Sequence, residues 1–368
     1  MDRAVLLTVD GRWGRTVTGP RRIVVGRGPR CDLRLDDPRV SREHCLLTID
    51  PPHVEVRDLG SRHGTRHDDP PITDGARLRL GDTTIGVAIV PAALPGLTIS
   101  HEAGRGAQGA VFLARDHDGV PVAVKILHDV GAPEQDRRML RELHVVRALR
   151  HPNIVAFRAS AADPVPHIVS AWCPGGTLQQ FGVQTPARAV RLIRGVLDGL
   201  AYAHGTALLP DVPLADGTTR SARGLVHRDI TPRNVLLDGD TPRIADFGLA
   251  KAFALAGRSG HTRTGEHGGS FGFMPRAQLF AYRDAEPAVD TWAAAATLYW
   301  MLTGSTPRDF PDGCDPAGVV MREQPVPLAT RDDRLPTRLT RLVDEALSET
   351  RPMSAAELRD ALDTVSPY

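Results

Sequence analysis

The pattern of hydrophobic residues changes once along the chain, and this change limits the possible folds more than any other feature. Up to about residue 90, short apolar runs such as AVLLTV, RIVVG, CLLTI and TIGVAIV alternate with clusters of Gly, Pro and Asp. Strand-length runs that recur every 8–12 residues or so, with turn residues between them, are typical of a β-sandwich or barrel. No helical period is visible there, so we predict an all-β domain over residues 1–92.

A boundary follows at Pro91–Gly96, because two prolines and a glycine disfavour both a helix and a central strand. We place a short linker at residues 93–96 and a second domain at 97–368. The prolines leave the linker only a few residues long, so the two domains are expected to lie close together.

The second domain begins with strands and continues with helices. Residues 97–128 have the pattern of three strands around a glycine-rich turn, and residues 133–150 have a helical period that places Met139, Leu143 and Val146 on one face. Helical patterns dominate from Ala187. We therefore predict an α+β fold with a small lobe over about 97–172 and a larger helical lobe over about 173–368.

Composition excludes several classes of protein. The 368 residues include 45 Lys+Arg and 44 Asp+Glu, and a net charge of +1 argues against a protein that coats nucleic acid or an anionic membrane. The four cysteines form no CxxC pair, and the chain contains neither an apolar run of about 18 residues nor a signal-peptide core. We therefore expect a soluble, cytoplasmic protein with no membrane segment and no nucleic-acid partner.

Lysine is rare in this chain, and one lysine has a suggestive position. Only two of the 45 basic residues are lysine, and Lys125 follows the glycine triplet Gly104-x-Gly106-x-x-Gly109 by 16 residues. The triplet begins no helix, which disfavours a dinucleotide-binding motif, but a glycine loop between two strands can bind phosphates through its N–H groups. A compact ammonium can then pair with phosphate and with a carboxylate, for which Glu142 is the candidate.

Two later motifs supply oxygen ligands and a base. His227-Arg228-Asp229 is followed by Asn234, and the hairpin-like sequence NVLLDGDTPRIADFG leads to Asp246-Phe247-Gly248. Oxygen atoms of Asn234 and Asp246, at the ends of neighbouring strands, are ligands that Mg²⁺ prefers. Asp229 is then available to accept a proton from a hydroxyl group. Each motif alone is common, whereas all of them in this order indicate phosphoryl transfer.

Together these motifs resemble the protein kinase family, over about residues 97–366. The segments RHPNIV at 150–155 and IVSAWCPGGTL at 168–178, and Asp290-Thr-Trp292, extend the resemblance. It implies a bilobal fold, ATP and Mg²⁺ as cofactors, and in-line transfer of the γ-phosphoryl group to protein hydroxyls.

The resemblance also implies a role for each motif residue. Lys125 is expected to bind phosphates and to pair with Glu142, Asp229 to act as the catalytic base, and Asn234 and Asp246 to hold Mg²⁺. The remaining nucleotide-binding positions are three glycines over the phosphates and a set of residues around the adenine: Gly104, Gly106, Gly109, Val111, Ala123, Leu236 and the backbone from Ala171 to Cys173.

The sequence departs from the family pattern at two places. Serine/threonine kinases usually carry Lys two residues after the catalytic Asp, where this chain has Thr231, and Arg233 occupies the place of an Arg in tyrosine kinases. We count Arg233 as a further candidate catalytic residue. The Ala-Pro-Glu segment that closes the activation loop reads Pro275-Arg276-Ala277, so its Glu is missing and Arg351 lacks its expected partner. The segment 206–223 is long for the family, and we predict a surface loop there.

Three loops of the N-terminal domain carry a second resemblance. Gly26-Arg27 ends one strand, Ser41-Arg42-Glu43-His44 forms a second loop and Asp58–Thr65 a third. Over roughly residues 4–90 the chain resembles the forkhead-associated (FHA) domain, a β-sandwich that binds phosphothreonine peptides with its loops. Arginine forks and hydroxyl groups suit a dianionic phosphate. The resemblance assigns His44 and Gly64 to bracing the loops, and assigns the phosphothreonine site to Arg27, Ser41, Arg42, Arg62 and His63, the last in place of the family's Asn.

The two resemblances imply a bacterial-type serine/threonine protein kinase with an N-terminal FHA domain. Its partners would be protein substrates bearing Ser or Thr and phosphothreonine-containing proteins. Two alternatives stay open. Thr231 and Ala277 allow a pseudokinase scaffold, and Arg233 allows a tyrosine or dual-specificity kinase.

The activation segment between Gly248 and Met274 contains Thr262 and Thr264. The resemblance implies that these are autophosphorylation sites and that Arg228 receives the phosphate. An FHA domain recognises the same modification, so we expect self-association through a phosphorylated activation loop. Capture on a second copy is favoured, because a linker of about six residues spans roughly 20 Å when fully extended.

Overall fold

A computed structural model describes the chain over residues 3–10, 12–67, 71–91, 94–106, 109–127, 143–162, 166–206, 208–213, 219–247, 271–280 and 285–365. Contacts between residues divide the chain into two compact units. Unit 1 comprises Met1–Val130 and Ala159–Trp172, and unit 2 comprises Gly131–Arg158 and Cys173–Tyr368. Unit 1 therefore combines the predicted all-β domain with most of the predicted small lobe.

The N-terminal domain is a β-sandwich, as predicted from its strand spacing. One sheet has the order β2-β1-β9-β8-β7 and the other the order β4-β3-β5-β6. A single core lies between them, and side chains of both sheets, such as Leu7, Val25, Leu47 and Leu78, are fully buried in it. The strands are β1 Arg3–Val9, β2 Arg12–Val17, β3 Arg21–Gly26, β4 Leu33–Arg34, β5 Cys45–Asp50, β6 His53–Asp58, β7 Thr65–His67, β8 Arg77–Leu80 and β9 Thr83–Pro91.

The small-lobe sheet has the order β10-β11-β12-β14-β13. Its strands are β10 Leu97–Gly106, β11 Gly109–Asp116, β12 Pro121–Leu127, β13 Phe157–Ala161 and β14 His167–Ala171. The first three form two successive hairpins, and the glycine triplet lies at the turn of the first one, as predicted. Of the helix expected over 133–150, the described part is a 3₁₀-helical segment at Leu143–Ala148, and residues 133–142 lie outside the described ranges.

The linker is built into the fold of unit 1. Leu94 is 2% exposed and packs with Ala114, Val122 and Val124 in the core of the small-lobe sheet. Its carbonyl accepts the N–H of Leu97, and Gly96 makes the turn between them with φ +72°, which glycine adopts without strain. Residues 94–96 are therefore a fixed turn.

Unit 2 is mainly helical, as predicted. Helix α4 is buried along almost its whole length, which agrees with its apolar sequence WAAAATLYW, and α2 packs against it. The helices are α1 Leu178–Phe181, α2 Pro186–Ala201, α3 Arg276–Phe280, α4 Ala288–Thr303, α5 Pro316–Arg322, α6 Leu328–Arg331, α7 Thr337–Ala346 and α8 Ala355–Val365, with a π-helical turn at Tyr202–Thr206. Within the described ranges, no helix has the length and the apolar character that spanning a membrane requires.

Two short hairpins complete unit 2. Strands β17 Val235–Asp238 and β18 Thr241–Ile244 form the hairpin expected between Asn234 and Asp246. In the segment 206–223, strand β15 Leu208–Pro213 pairs antiparallel with β16 Thr219–Arg223. The prediction of a loop is therefore wrong for these two stretches. Apolar and polar residues alternate too weakly in them to predict strands from the sequence alone.

Candidate active site

The small-lobe sheet separates two sets of side chains by simple alternation. In the β11–β12 hairpin, Val111 lies opposite Lys125 and Leu113 lies opposite Ala123. Val111, Ala123 and Lys125 are half-exposed on one face, whereas Phe112 and Val124 between them are buried on the other. Because side chains alternate along a strand, the residues predicted to bind the nucleotide share one face of the sheet.

The glycine triplet lies at the turn between β10 and β11. Gly104 pairs with Val111, and Gly106 pairs with Gly109. A side chain at Gly109 would collide with the backbone oxygen of Ile126, so this glycine is required by packing. A Cβ at Gly104 or Gly106 would meet no atom within 4 Å. Packing therefore does not require these two glycines, and their phosphate-binding role remains a prediction.

The end of β14 leads into the segment expected to contact adenine. Ala171 pairs with Val122 as the last residue of β14, and it is half-buried. Cys173, where the chain re-enters unit 2, is 5% exposed, and burial raises the pKa of its thiol to about 11. Leu236 lies on β17 opposite Arg243 and also bridges to Thr177.

The catalytic loop brings Asp229 and Asn234 into direct contact. The Asn234 Nδ2 group donates to the Asp229 carboxylate oxygen Oδ2 at 2.8 Å and to the Asp229 backbone oxygen at 2.7 Å. The N–H of Asp229 donates to Nδ1 of His227 at 3.2 Å, and Nε2 of His227 lies 2.7 Å from the Ala245 backbone oxygen. These bonds fix the Asp229 carboxylate next to an amide whose oxygen is available as a ligand.

Asn234 and Asp246 lie at the same end of one hairpin. Asn234 precedes β17, Asp246 follows β18, and Val235 pairs with Ile244. The N–H of Ala245 donates to the Asn234 backbone oxygen at 2.8 Å. Asn234 and Asp246 therefore lie at the ends of neighbouring strands, as predicted, and their role as metal ligands remains a prediction.

Backbone strain concentrates at the same motifs. Among the described residues, Asp10, Arg228 and Asp246 are the non-glycine residues with positive φ, at 47°, 72° and 59°. Such conformations cost free energy and persist only where neighbouring contacts hold them, most often at functional sites. Two of the three strained residues belong to the predicted catalytic motifs.

One buried carboxylate holds the strained catalytic loop. Asp290 on α4 is 0% exposed, and it accepts the N–H of His227 at 2.7 Å and the N–H of Arg228 at 2.7 Å. Nε2 of His204 lies 2.8 Å from the same carboxylate. On the far side of the loop, the side chain of Gln278 donates to the Arg228 backbone oxygen at 2.7 Å. The sequence indicated Asp290 as part of the resemblance to protein kinases but did not predict these hydrogen bonds.

Thr231 and Arg233, which follow the predicted catalytic base, differ in their exposure to solvent. Thr231 is 6% exposed, whereas Arg233 is exposed, with Nε 3.4 Å from the side-chain oxygen of Gln179. Arg233 is therefore a cation at the surface of the catalytic loop, and its catalytic role remains a prediction.

Arg351 lacks the Glu partner that the family has at position 277, as expected, and a different ion pair joins these two segments. The N–H of Arg276 donates to Glu349 at 2.8 Å, and its guanidinium lies 3.4 Å from the same carboxylate. Arg308, whose side chain is 0% exposed, contacts Glu349 at 2.9 Å and donates to the Met274 backbone oxygen. Arg351 instead lies 3.6 Å from Glu345 at the surface.

In the N-terminal domain, the three predicted loops meet around one histidine. His44 is fully buried, accepts the N–H of Ser41 at Nδ1 (3.1 Å), and has Nε2 3.1 Å from the Gly64 backbone oxygen. The Ser41 hydroxyl accepts the N–H of Arg62 at 3.0 Å, and the N–H of Arg27 donates to the Ser41 backbone oxygen at 3.0 Å. The predicted bracing role of His44 and Gly64 is confirmed by these bonds.

The loop ends present a cationic surface. Arg27, Arg42, Arg62 and His63 are exposed, and Ser41 is half-buried between them. Gly26 and Gly28 are required here, because a side chain at either position would overlap the Arg42 backbone.

Asp58 fixes the third loop. Burial opposes its ionisation, but hydrogen bonds from the Ser61 hydroxyl and N–H, the Thr65 hydroxyl and the Gly60 N–H outweigh burial and hold its pKa well below its usual value.

Three predicted site residues, Glu142, Thr262 and Thr264, lie outside the described residues. The remaining ones divide between the units. The residues in unit 1 are Lys125, the glycines, Val111, Ala123 and Ala171, together with the loops predicted to bind phosphothreonine. The residues in unit 2 are Asp229, Arg233, Asn234, Leu236, Asp246 and Cys173.

Comparisons with known proteins agree with both resemblances. The model of the protein kinase domain matches residues 97–350, and the model of the FHA domain matches residues 23–86. The serine/threonine-protein kinase PknB of Mycobacterium tuberculosis is 30% identical over 273 residues, which are 70% of this chain and 40% of that protein. AfsK of Streptomyces griseus is 29% identical over 277 residues, 72% of this chain and 31% of that protein. The chain thus spans less than half the length of these curated relatives.

A solved structure has a similar fold over almost the whole chain. The crystal structure of Rad53 1-466 in complex with AMP-PNP matches 97% of this chain and 99% of that one, with a TM-score of 0.55 and 18% identity. At this identity the likeness concerns the fold.

Proposed function

This chain belongs to the protein kinase family, and on that premise we propose that it transfers the γ-phosphoryl group of ATP to serine and threonine hydroxyls of proteins. The observation that carries the proposal is the Asp229–Asn234 contact of 2.8 Å at the hairpin end where Asp246 also lies. This arrangement suits a base beside two oxygen ligands. The similarity to PknB and AfsK supports a bacterial-type serine/threonine kinase.

The residues present fit MgATP. Gly104 and Gly106 leave open space where a side chain would stand, and the oxygen atoms of Asn234 and Asp246 suit a hard divalent cation. The crystal structure of Rad53, which has a similar fold, contains the ATP analogue AMP-PNP. When bound, MgATP supplies the phosphoryl group and the metal charge that neutralises it.

Each residue has a distinct task in this proposal. As the family resemblance implies, Lys125 would bind phosphate oxygens and pair with Glu142, and Val111, Ala123 and Leu236 would each contact the adenine. The backbone from Ala171 to Cys173 hydrogen-bonds the adenine edge. Asp229 takes the proton of the attacking hydroxyl, and the exposed Arg233 offers positive charge where lysine is missing at Thr231.

Lys125→Arg tests the assignment of the phosphate-binding residue. A planar guanidinium cannot replace a compact ammonium between a phosphate and a carboxylate, so we expect phosphoryl transfer to fall by at least about 100-fold. Incorporation of labelled phosphate into a generic protein substrate measures the loss. Turnover like that of the wild type would contradict the role of Lys125.

The division of labour between Asp229 and Asp246 can be tested with two isosteric variants. A metal ligand acts in the ground state and the transition state, whereas a base acts mainly in the latter. Asp246→Asn should therefore weaken Mg²⁺-dependent binding of AMP-PNP in calorimetry, and Asp229→Asn should bind normally but not transfer phosphate. Equal binding by both variants would refute this division.

We further propose that the N-terminal FHA domain binds phosphothreonine peptides through Arg27, Ser41, Arg42, Arg62 and His63. Three exposed arginines around the Ser41 hydroxyl suit a dianionic phosphate. Arg27→Ala should weaken binding of a phosphothreonine peptide more than about tenfold, and Arg22→Ala, exposed near the opposite end of β3, is the matched control. Equal affinities of the two variants would reject this site.

Self-association through a phosphorylated activation loop is the finer part of the proposal. The kinase would phosphorylate Thr262 or Thr264, and the loops of a second copy would capture the phosphothreonine. Light scattering after ATP treatment should show a phosphatase-reversible increase in mass for the wild type and for Arg22→Ala. Arg27→Ala and the double variant Thr262→Ala/Thr264→Ala should remain monomeric. An equal increase in Arg27→Ala would refute capture by the FHA loops.

A further inference from the structure

The β-sandwich and the small-lobe sheet share a hydrophobic core within unit 1. Ala4 and Leu6 of β1 and Ala88 and Val90 of β9 are at most 3% exposed, and they pack with Ala110 and Phe112 of β11. This face of the small-lobe sheet is the one opposite Val111, Ala123 and Lys125. The FHA domain thus covers the back of the sheet whose front carries the proposed nucleotide-binding residues.

One polar contact joins the FHA domain to the glycine-rich strand itself. Arg105, between Gly104 and Gly106, lies opposite Ala110 in the β10–β11 hairpin. Its two Nη groups donate to the two carboxylate oxygens of Asp74 at 2.9 and 3.2 Å. Its Nε and Nη2 groups donate to Glu102 at 3.0 and 2.7 Å. Burial opposes the charge of Arg105, but these bonds outweigh burial and raise its pKa.

Asp74 is itself fixed by the framework of the FHA domain. Its Oδ1 accepts the backbone N–H of Ile89 on β9 at 2.7 Å. The next residue, Gly75, has φ +85° and donates its N–H to the Val87 backbone oxygen at 2.9 Å. The Arg105 side chain lies against Gly75, where an added methyl group would be 3.5 Å from it. The acceptor of Arg105 therefore belongs to a turn that two bonds to β9 hold in place.

The pair is placed to orient the strand, and its exposure argues against a role in holding the domains together. The side chains of Arg105 and Asp74 are 25% and 37% exposed, and such pairs add little to global stability. The buried contacts of Leu6 and Phe112 supply the cohesion. A planar guanidinium held by two carboxylates has little orientational freedom. The contact therefore fixes the backbone on both sides of Arg105, at Gly104 and Gly106.

We propose that Asp74 of the FHA domain is a positioning residue for nucleotide binding, which holds Arg105 and thereby keeps Gly104 and Gly106 in the conformation that receives the phosphates. The inference rests on the proposed kinase function and adds to it a residue from outside the kinase domain.

The first test uses Asp74→Asn in the full chain. Asparagine retains an oxygen that can accept the Ile89 N–H but loses the charge that Arg105 contacts. The matched control is Asp82→Asn, which removes an exposed FHA-domain carboxylate paired with Arg39 at 2.9 Å. We expect the dissociation constant of Mg·AMP-PNP to rise about fivefold in Asp74→Asn and to stay unchanged in Asp82→Asn. Both variants should keep the wild-type affinity for a phosphothreonine peptide.

A second readout needs no nucleotide. Hydrogen exchange of the backbone N–H groups in 97–106 should be faster in Asp74→Asn than in the wild type, because the strand loses its fixed contact. Exchange in 97–106 should not change in Asp82→Asn. If Asp74→Asn leaves both the exchange and the AMP-PNP affinity at wild-type values, the proposal is wrong.

A double-mutant cycle separates positioning from a direct effect of the Arg105 charge on phosphate. If Asp74 acts through Arg105, then Asp74→Asn added to Arg105→Gln should cause no further loss of affinity. Independent, multiplicative losses would overturn the proposal. The proposed function fails separately: a wild-type chain that does not bind Mg·AMP-PNP would refute nucleotide binding and this inference together, whereas a chain that binds it regardless of Asp74 would refute this inference only.

Discussion

The catalytic loop and the glycine-rich strand are held in place in opposite ways, although both carry residues that we assign to phosphoryl transfer. The loop is fixed from the interior of unit 2, where the fully buried Asp290 accepts the N–H groups of His227 and Arg228. The strand is fixed from the surface of unit 1, where Arg105 contacts Asp74 and both side chains remain partly exposed. The first arrangement is built into the core of the kinase domain, and the second depends on a neighbouring domain.

The difference indicates which part of the proposed chemistry can be adjusted. A buried carboxylate that satisfies several donors cannot be removed without leaving them unpaired in a medium of low polarity. A half-exposed ion pair can open at little cost in stability. We therefore expect the catalytic loop to keep one conformation, and the glycine-rich strand to respond to changes at the FHA domain.

The largest effect is expected for Asp290→Ala. Loss of this carboxylate leaves two loop N–H groups and His204 without their acceptor, and the positive φ of Arg228 without support, so the free energy of unfolding should fall by about 3–5 kcal/mol. Phosphoryl transfer should be lost with it. Urea denaturation measures the first quantity, and Asp309→Asn, an exposed partner of Arg331, is the control. A loss below about 1 kcal/mol would remove the contrast between the two regions.

Next in size is the effect of Leu6→Ala, because Leu6 is 1% exposed in the core shared by the FHA domain and the small-lobe sheet. Truncation of a buried leucine costs about 2–5 kcal/mol. Hydrogen exchange should become faster in β11 as well as in β1. The control is Leu47→Ala, in the interior of the sandwich, which should affect β11 less. Equal effects on β11 would mean that the shared core does not couple the two sheets.

A smaller loss is expected for Glu349→Gln, which tests the contacts of Glu349 with Arg276 and Arg308. The buried Arg308 would keep its backbone acceptors but lose its carboxylate, at a cost of about 1–3 kcal/mol. Glu345→Gln removes the surface contact to Arg351 and should cost at most about 0.5 kcal/mol. If Glu345→Gln were the more damaging variant, the surface contact of Arg351 would contribute more to stability than the contacts of Glu349 do.

The smallest effect concerns Asp58, an exposed carboxylate in one of the loops that we propose to bind phosphothreonine. The pKa of Asp58 is lower in the folded chain than its usual value, so its contribution to stability is complete above the unfolded pKa of about 4 and is lost as the pH falls. Asp58→Asn should therefore be less stable than the wild type by a constant amount between about pH 7 and pH 5, and the difference should shrink below about pH 4. A difference that grows on acidification would contradict the assigned hydrogen bonds.

Local sequence patterns were sufficient for the hairpins that carry the predicted nucleotide-site residues. Alternation in HEAGRGAQGAVFLARD and PVAVKIL predicts the hairpins that place Val111, Ala123 and Lys125 on one face. The spacing from Asn234 to Asp246 similarly predicts the hairpin that brings them to one end. In both cases the information lies within about a dozen residues, where strand periodicity and turn residues decide the structure.

Contacts between distant segments could not be predicted in this way. Asp74 and Arg105 are 31 residues apart and belong to different domains, and neither is unusual in its own segment. Glu349 and Arg276 are 73 residues apart, and the family pattern, which drew attention to Ala277 and Arg351, gave no sign of this contact. Such pairs become visible only when the fold brings the segments together.

The most direct test of the account is phosphoamino-acid analysis of the full chain after incubation with labelled MgATP and a generic protein substrate. We predict phosphoserine and phosphothreonine with the wild type, and no label with Asp229→Asn, which retains the fold but lacks the base. Absence of label with the wild type would contradict the kinase assignment and favour a scaffold. Phosphotyrosine alone would contradict the serine/threonine assignment and favour the reading suggested by Arg233.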